Sequence, residues 1–128
     1  MKTKIELVTG KDRIVFDLND SDTSIALKKM VPFKSEAQLW GNEVYFSIPL
    51  KHDLERGKEI LEVGDIAYWP PGNAFCIFFG TTPASTDHRP RAAGPVTVLG
   101  HIASKKDIAR LKKIKQGQTI ELKPQAGR

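Results

Sequence analysis

Apolar and polar residues alternate through Lys4–Val8 and again through Arg13–Leu18, on either side of a turn containing Gly10. That period of two predicts a half-buried β-hairpin. From Asn19 the spacing becomes helical. Asp20, Ser21 or Asp22 can cap a helix, Ile25, Leu27, Met30 and Val31 give it apolar positions, and Pro32 ends it. The runs SEAQLW (35–40) and EVYFSI (43–48), joined at Gly41-Asn42, predict a second hairpin. Residues 49–65 read as a polar loop closing with a turn at Gly64-Asp65. The most apolar stretch, 66–80, reads as two short strands broken at Pro70-Pro71-Gly72-Asn73, and 81–95, rich in Pro, Ala and charge, as a long surface loop. VTVLGHI (96–102) is another strand. Ser104 and Asp107 form a capping-box pattern ahead of a short helix carrying Ile108, Leu111 and Ile114, stopped at Gln116-Gly117. TIELK (119–123) is a last strand. About eight short strands and two helices, without strand–helix–strand alternation, argue for a mainly β fold: an antiparallel barrel or sandwich with helices at its openings.

The strand AFCIFF (74–79) is apolar on both faces, with Ala74, Cys76 and Phe78 on one and Phe75, Ile77 and Phe79 on the other. A small barrel has one inside, so the second face must be covered by a helix, a partner subunit or a ligand. Trp40, Tyr45, Tyr68 and Trp69 lie on flanking segments, which makes an aromatic-lined groove possible. With Asn73 and Phe75 they are the candidate ligand-binding residues. Ordinary core packing is the competing explanation for each aromatic. Glu43, two residues before Tyr45, is the carboxylate a hairpin could aim into that groove, although solvation at the surface is its commoner fate.

Length and composition bound the rest. A chain of 128 residues, 40% hydrophobic and 27% charged, suits one globular domain, here 1–123 with 124–128 as a flexible tail. Such a chain buries roughly two-thirds of its unfolded surface and needs no disulfide or metal staple. The single cysteine excludes an intramolecular disulfide. No apolar run approaches the ~20 residues of a membrane helix, and the N-terminal stretch lacks a signal peptide's apolar core, so a soluble cytoplasmic protein without membrane attachment is expected. The net charge of +5 is uneven: −1 over residues 1–100 and +6 over 101–128. The basic stretch 104–117 has no interleaved aromatic to stack a base, so a lysine-rich solvated helix face is expected and nucleic acid is an improbable partner. His52, His88 and His101 show no ligand spacing, so neither metal nor cofactor is expected. Cys76 reads as a small buried thiol, and no nucleophile elbow or phosphate-cradling loop is present.

WGNEVYFSIP (40–49) and GDIAYWPPGNAFCIFFGTTP (64–83) resemble the uncharacterised prokaryotic cyclophilin-like domain proteins, and the pattern extends over nearly the whole chain. The resemblance implies a closed, eight-stranded antiparallel barrel capped by one or two short helices. The likeness to prolyl isomerases of the cyclophilin fold is partial. Phe75 takes an aromatic position of their groove floor and Gly100 lies on a similar strand. Ala74, however, stands where those enzymes carry a peptide-contacting glutamine, and Gly94-Pro95 where they carry a histidine. Their catalytic arginine belongs to the strand after the first helix, where SEAQLWGNEVYF contains neither arginine nor histidine. X–Pro rotation has a barrier near ~20 kcal/mol, which a fixed donor to the prolyl nitrogen lowers. Without it a groove can bind but should catalyse poorly. Asp87-His88-Arg89, in the long loop, holds the one substitute donor. The reading is a protein that binds a small molecule or short peptide, with no assignable catalytic residue. The alternatives are a weak prolyl isomerase and a non-catalytic component of a larger enzyme complex. Self-association into a homo-oligomer is compatible with each.

Overall fold

A computed structural model describes residues 3–125, so the last three residues of the expected tail, 126–128, lie outside the described part. The first hairpin pairs β1 (Thr3–Thr9) with β2 (Asp12–Leu18), Ile5 opposite Phe16 and Leu7 opposite Ile14, and all four side chains are fully buried. Helix α1 (Asp22–Met30) starts at Ser21, whose hydroxyl accepts the Ser24 amide. The Glu55 carboxylate reaches in from a distant segment and accepts the N–H groups of Asp22 (3.1 Å) and Thr23 (3.0 Å) and the Thr23 hydroxyl (2.8 Å). It satisfies two of the donors that every helix start leaves open. The helix buries Leu27, but Ile25, expected to be an inward position, is 49% exposed. Docking goes through the small polar residues instead: Ser24 is buried and its hydroxyl donates to the Leu99 carbonyl at 3.0 Å.

The remaining elements are β3 (Phe33–Glu36), β4 (Gln38–Leu39), β5 (Glu43–Ser47), β6 (Lys58–Ile60), β7 (Asp65–Trp69), β8 (Ala74–Phe78), β9 (Arg91–Ile102), α2 (Ile108–Leu111) and β10 (Thr119–Pro124). The main ladder runs β3-β10-β1-β2-β9-β7-β8-β5-β4, antiparallel throughout, and β6 pairs with β9. The fold is therefore mainly β with two short helices. The described residues form ten strands rather than eight, and the hydrogen-bonded ladder does not close on itself. Its two end strands are consecutive in the chain, separated by the buried Ala37, and the Ser35 hydroxyl of β3 donates to the Ser47 carbonyl of β5 at 3.0 Å. No helix among the described residues is long and apolar enough to cross a membrane.

Two stretches expected to be loops contribute strands. The polar run 49–65 contains β6, and the loop expected through residue 95 ends at Pro90, since β9 begins at Arg91. The first half of β9 pairs with β6 through an irregular ladder, Lys58 opposite Val96 and Ile60 opposite Arg91. Gly94 and Pro95 read as loop residues, but a ladder with a register shift has places where a missing N–H costs nothing. This second, small sheet folds over the outside of the main one. Further along, Gly100 sits between β2 and β7 with φ +151°, and an added Cβ would lie 1.8 Å from the Asp17 carbonyl oxygen. Only glycine permits that approach.

The two faces of β8 enter two separate apolar clusters. Phe75, Ile77 and Phe79 join the interior with Phe16, Phe46 and Tyr68. The Phe46 and Phe75 rings stack at 5.2 Å and Phe16 meets Phe75 edge-on at 6.3 Å. Ala74, Cys76 and Phe78 join Leu61, Ala67, Ala92 and Val96 under the β6–β9 sheet. The chain itself thus covers much of the second face. At the C-terminal end Arg110 is bonded to Asp107 and lies 3.5 Å from Asp12, while Lys112, Lys113 and Lys115 are exposed around the buried Leu111 and Ile114. The lysines are solvated as expected, but α2 stops at Leu111, short of the Ile114 expected on it, so they follow the helix rather than forming one of its faces.

Candidate functional site: an acid in an aromatic cavity

The outer cluster is not filled. Between the main sheet and the start of β9 lies a cavity of about 230 Å³ bounded by Trp40, Glu43, Tyr45, Trp69, Cys76, Ala92, Ala93 and Val96. Strand parity builds it. Glu43 and Tyr45 point to one side of β5 while Val44 and Phe46 enter the interior, and Tyr45 stands opposite Cys76 on β8. Trp40 lies at the base of the β4–β5 turn, where the Trp40 and Glu43 backbones exchange two hydrogen bonds (3.0 and 3.2 Å). The turn is clamped to the 79–82 segment by the Asn42 amide on the Thr81 carbonyl (2.9 Å) and the Phe79 amide on the Asn42 carbonyl (2.9 Å). Gly41, at φ +60°, allows that contact, since a Cβ there would lie 2.8 Å from Pro83 Cδ. Trp69 lies so close to Gly72 that a Cβ on the glycine would meet its ring at 2.8 Å. Ala92 and Ala93 form the far wall, and their small side chains are what leaves the space.

Glu43 is only 6% exposed. The ion pairs among the described residues all involve other carboxylates. Burial pushes its pKa up to about 7, and a hydrogen bond from the Cys76 thiol offsets only part of that rise. The thiol is pushed well above its usual value, first by burial and then by the neighbouring carboxylate. Cys76 is therefore a protonated thiol beside Glu43, its sulfur 3.9 Å from the Ala74 carbonyl oxygen, and a poor nucleophile. The site offers three aromatic rings, one carboxyl group near its point of half-ionisation at neutral pH, and no basic side chain.

The sequence-derived candidates divide here. Trp40, Glu43, Tyr45 and Trp69 converge on the cavity. Tyr68 and Phe75 do not: both are fully buried on the interior side, where the Tyr68 hydroxyl donates to the Leu50 carbonyl at 2.6 Å. Asn73, in a left-handed conformation (φ 46°), donates its amide to the Tyr68 oxygen (3.0 Å) and the Leu50 carbonyl (3.2 Å) and borders a shallow depression with Lys51 and His52. Cys76, Ala92, Ala93 and Val96 were not among the candidates. For Cys76 the signal was available, since it shares a parity with Tyr45 across the β5–β8 pair. Glu43, whose commoner fate would be solvation, is instead desolvated.

Arg89, the substitute donor, is bound to Asp87 at 2.7 Å, and that pairing holds the Asp87 carboxyl down to about 2. Arg89 and His88 line a different cleft, with Glu62, Asp65 and His101. No group of three or more His, Cys, Asp or Glu side chains among the described residues is arranged to hold a metal ion.

A mainly β, antiparallel fold with two short helices and a cavity on one sheet face defines a class, and comparison with known proteins gives the family. The cyclophilin-like family model matches residues 3–123, and the chain belongs to that family. It is also similar to the solution structure of a hypothetical protein from Archaeoglobus fulgidus, at 30% identity and a TM-score of 0.79, over 97% of this chain and 95% of that one. No curated protein matches.

Proposed function

We propose that this cyclophilin-like domain is a binding module for a small molecule, held in the outer-face cavity by Trp40, Glu43, Tyr45 and Trp69. The observation that carries the reading is Glu43. A carboxyl group buried without a cation or a backbone N–H partner costs stability that an ordinary surface glutamate would not. Such groups concentrate where a ligand or substrate meets them. The volume of about 230 Å³ lies below the ~300–1,000 Å³ of typical drug-sized pockets, so the ligand is compact, or is one side chain of a short peptide.

The prolyl isomerase alternative needs a donor facing the twisted amide. The cavity lining has no arginine or histidine, and Arg89 is engaged with Asp87 in another cleft. Nothing specific favours the component of a larger complex, because residues of the same chain cover the outer face beside the cavity. Both tryptophans of the chain line the cavity, so the protein's indole fluorescence reports on it alone. Titration with a panel of compact aromatic and amine fragments should quench or shift that emission saturably, and Tyr45→Ala should weaken the response at least tenfold with the fold intact. A flat response to the whole panel would remove this reading.

A further inference from the structure

We infer that the ligand is a small organic cation of the alkylammonium class, held by the Glu43 carboxylate and the rings of Trp40, Tyr45 and Trp69. This rests on the cavity being a ligand site and narrows what it takes. Three aromatic side chains and one acid line a space whose other walls are Cys76, Ala92, Ala93 and Val96. Aromatic faces carry negative charge density, and a cation over them is attracted most strongly where water is excluded. A buried carboxylate adds the full opposite charge at short range. The one charged group of the lining is an acid, and the rings can add to its attraction for a cation. An anionic ligand would meet Glu43 with no positive group to receive it. A neutral apolar ligand would fit the rings and leave the acid unused.

The immediate surroundings of Glu43 also explain why the cation must come from outside the chain. Tyr45 and Trp40 approach from the β4–β5 hairpin, Cys76 and Phe78 from β8, Trp69 from β7, and Ala92, Ala93 and Val96 from β9. The titratable groups among these are the Tyr45 phenol and the Cys76 thiol, and the thiol is held protonated. Neither can neutralise the carboxylate. Burial keeps Glu43 partly protonated near neutral pH, so binding a permanent cation must expel a proton. Affinity should then fall by up to about tenfold for each pH unit below 7 and level off above it.

Choline serves as the probe, and 3,3-dimethyl-1-butanol as its uncharged carbon isostere. Indole fluorescence and calorimetric titrations with the intact protein should give choline at least tenfold the affinity of the isostere at pH 8. Glu43→Gln should cut that preference to the part the three rings supply and abolish the pH dependence, while its thermal midpoint stays at or above that of the wild type. Nα-acetyl-Nε-trimethyllysine amide carries the same headgroup on a peptide unit, and whichever of the two cations binds more tightly names the source. Equal or tighter binding of the isostere would overturn the cation and leave the cavity as an apolar site. Absence of choline binding at pH 8, beside a responsive fragment panel, would overturn the cation alone. Absence of both would overturn the site with it.

Discussion

The two sides of β8 are both apolar and both buried, yet they enter clusters of different character. Phe75, Ile77 and Phe79 share the interior with Phe16, Phe46 and Tyr68, and the Phe75 ring meets those of both Phe16 and Phe46. Ala74, Cys76 and Phe78 are buried beneath a small second sheet that leaves a cavity beside Cys76, and a carboxyl group lines that cavity. Interiors at native packing density gain dispersion energy from every contact, whereas the lining of a void forfeits it. The inner face therefore stabilises the fold, and the outer face gives up some stability to keep a shaped space and a desolvated acid. Sequence hydrophobicity alone does not distinguish the two. What separates them is the size of the opposing residues: phenylalanines inside, Ala92 and Ala93 outside.

Substitutions on the two faces should divide accordingly. Phe75→Ala removes the ring shared by the Phe16 and Phe46 contacts and should cost about 3–5 kcal/mol in chemical denaturation. A cost below about 1 kcal/mol would mean that the inner face is not the main core. Glu43→Gln should act in the opposite sense, and only at higher pH. Its folded-state pKa of about 7 lies above the unfolded value of 4.5, so the native state binds the extra proton between them. Native stability is then fully present below about pH 4.5 and falls as pH rises through 7, by about 3 kcal/mol. The glutamine variant, which cannot ionise, should equal the wild type near pH 4.5 and exceed it at pH 8. A wild-type stability that does not decline relative to the variant across this range would deny that Glu43 is buried. Cys76→Ala, on the outer face of the same strand as Phe75, should cost only about 1 kcal/mol, because the lining there is already incomplete. Smallest is Glu55→Gln, at the exposed start of α1. Its hydrogen bonds to Thr23 and Asp22 lower the carboxyl pKa, so their contribution is present above the unfolded value and lost as pH falls. The thermal midpoints of variant and wild type should differ slightly at pH 6 and converge at pH 3; a gap that widens on acidification would contradict the capping role.

Much of this division is legible in the sequence. Period-two alternation placed Ala74, Cys76 and Phe78 against Phe75, Ile77 and Phe79, and the structure keeps that split. The same rule, carried across strands, would have corrected the candidate groove. Tyr68 and Trp69 are neighbours on one strand and cannot both face it, and Tyr68 pairs directly with Phe75, so those two belong together inside. The cover over the outer face was not legible. Lys58–Ile60 is too short to show a period, and Gly94 and Pro95 disguise the start of β9 as loop. Nor does local pattern give the burial of Glu43, which follows from the β4–β5 turn being clamped against residues 79–82. That is tertiary information. The ladder order was out of reach for the same reason, since β3 and β4, adjacent in the chain, lie at opposite ends of it.

The central claim is that the outer face is hollow in order to bind. The most direct measurement follows the two indole N–H resonances, with the backbone amides, in two-dimensional NMR during titration with choline at pH 8. The account predicts saturable shifts of the Trp40 and Trp69 indoles and of amides at Glu43, Tyr45, Cys76 and Ala92–Ala93, with Phe16, Phe46 and Phe75 essentially still. Shifts centred on the His88–Arg89 cleft, or none at all on the outer face, would contradict it.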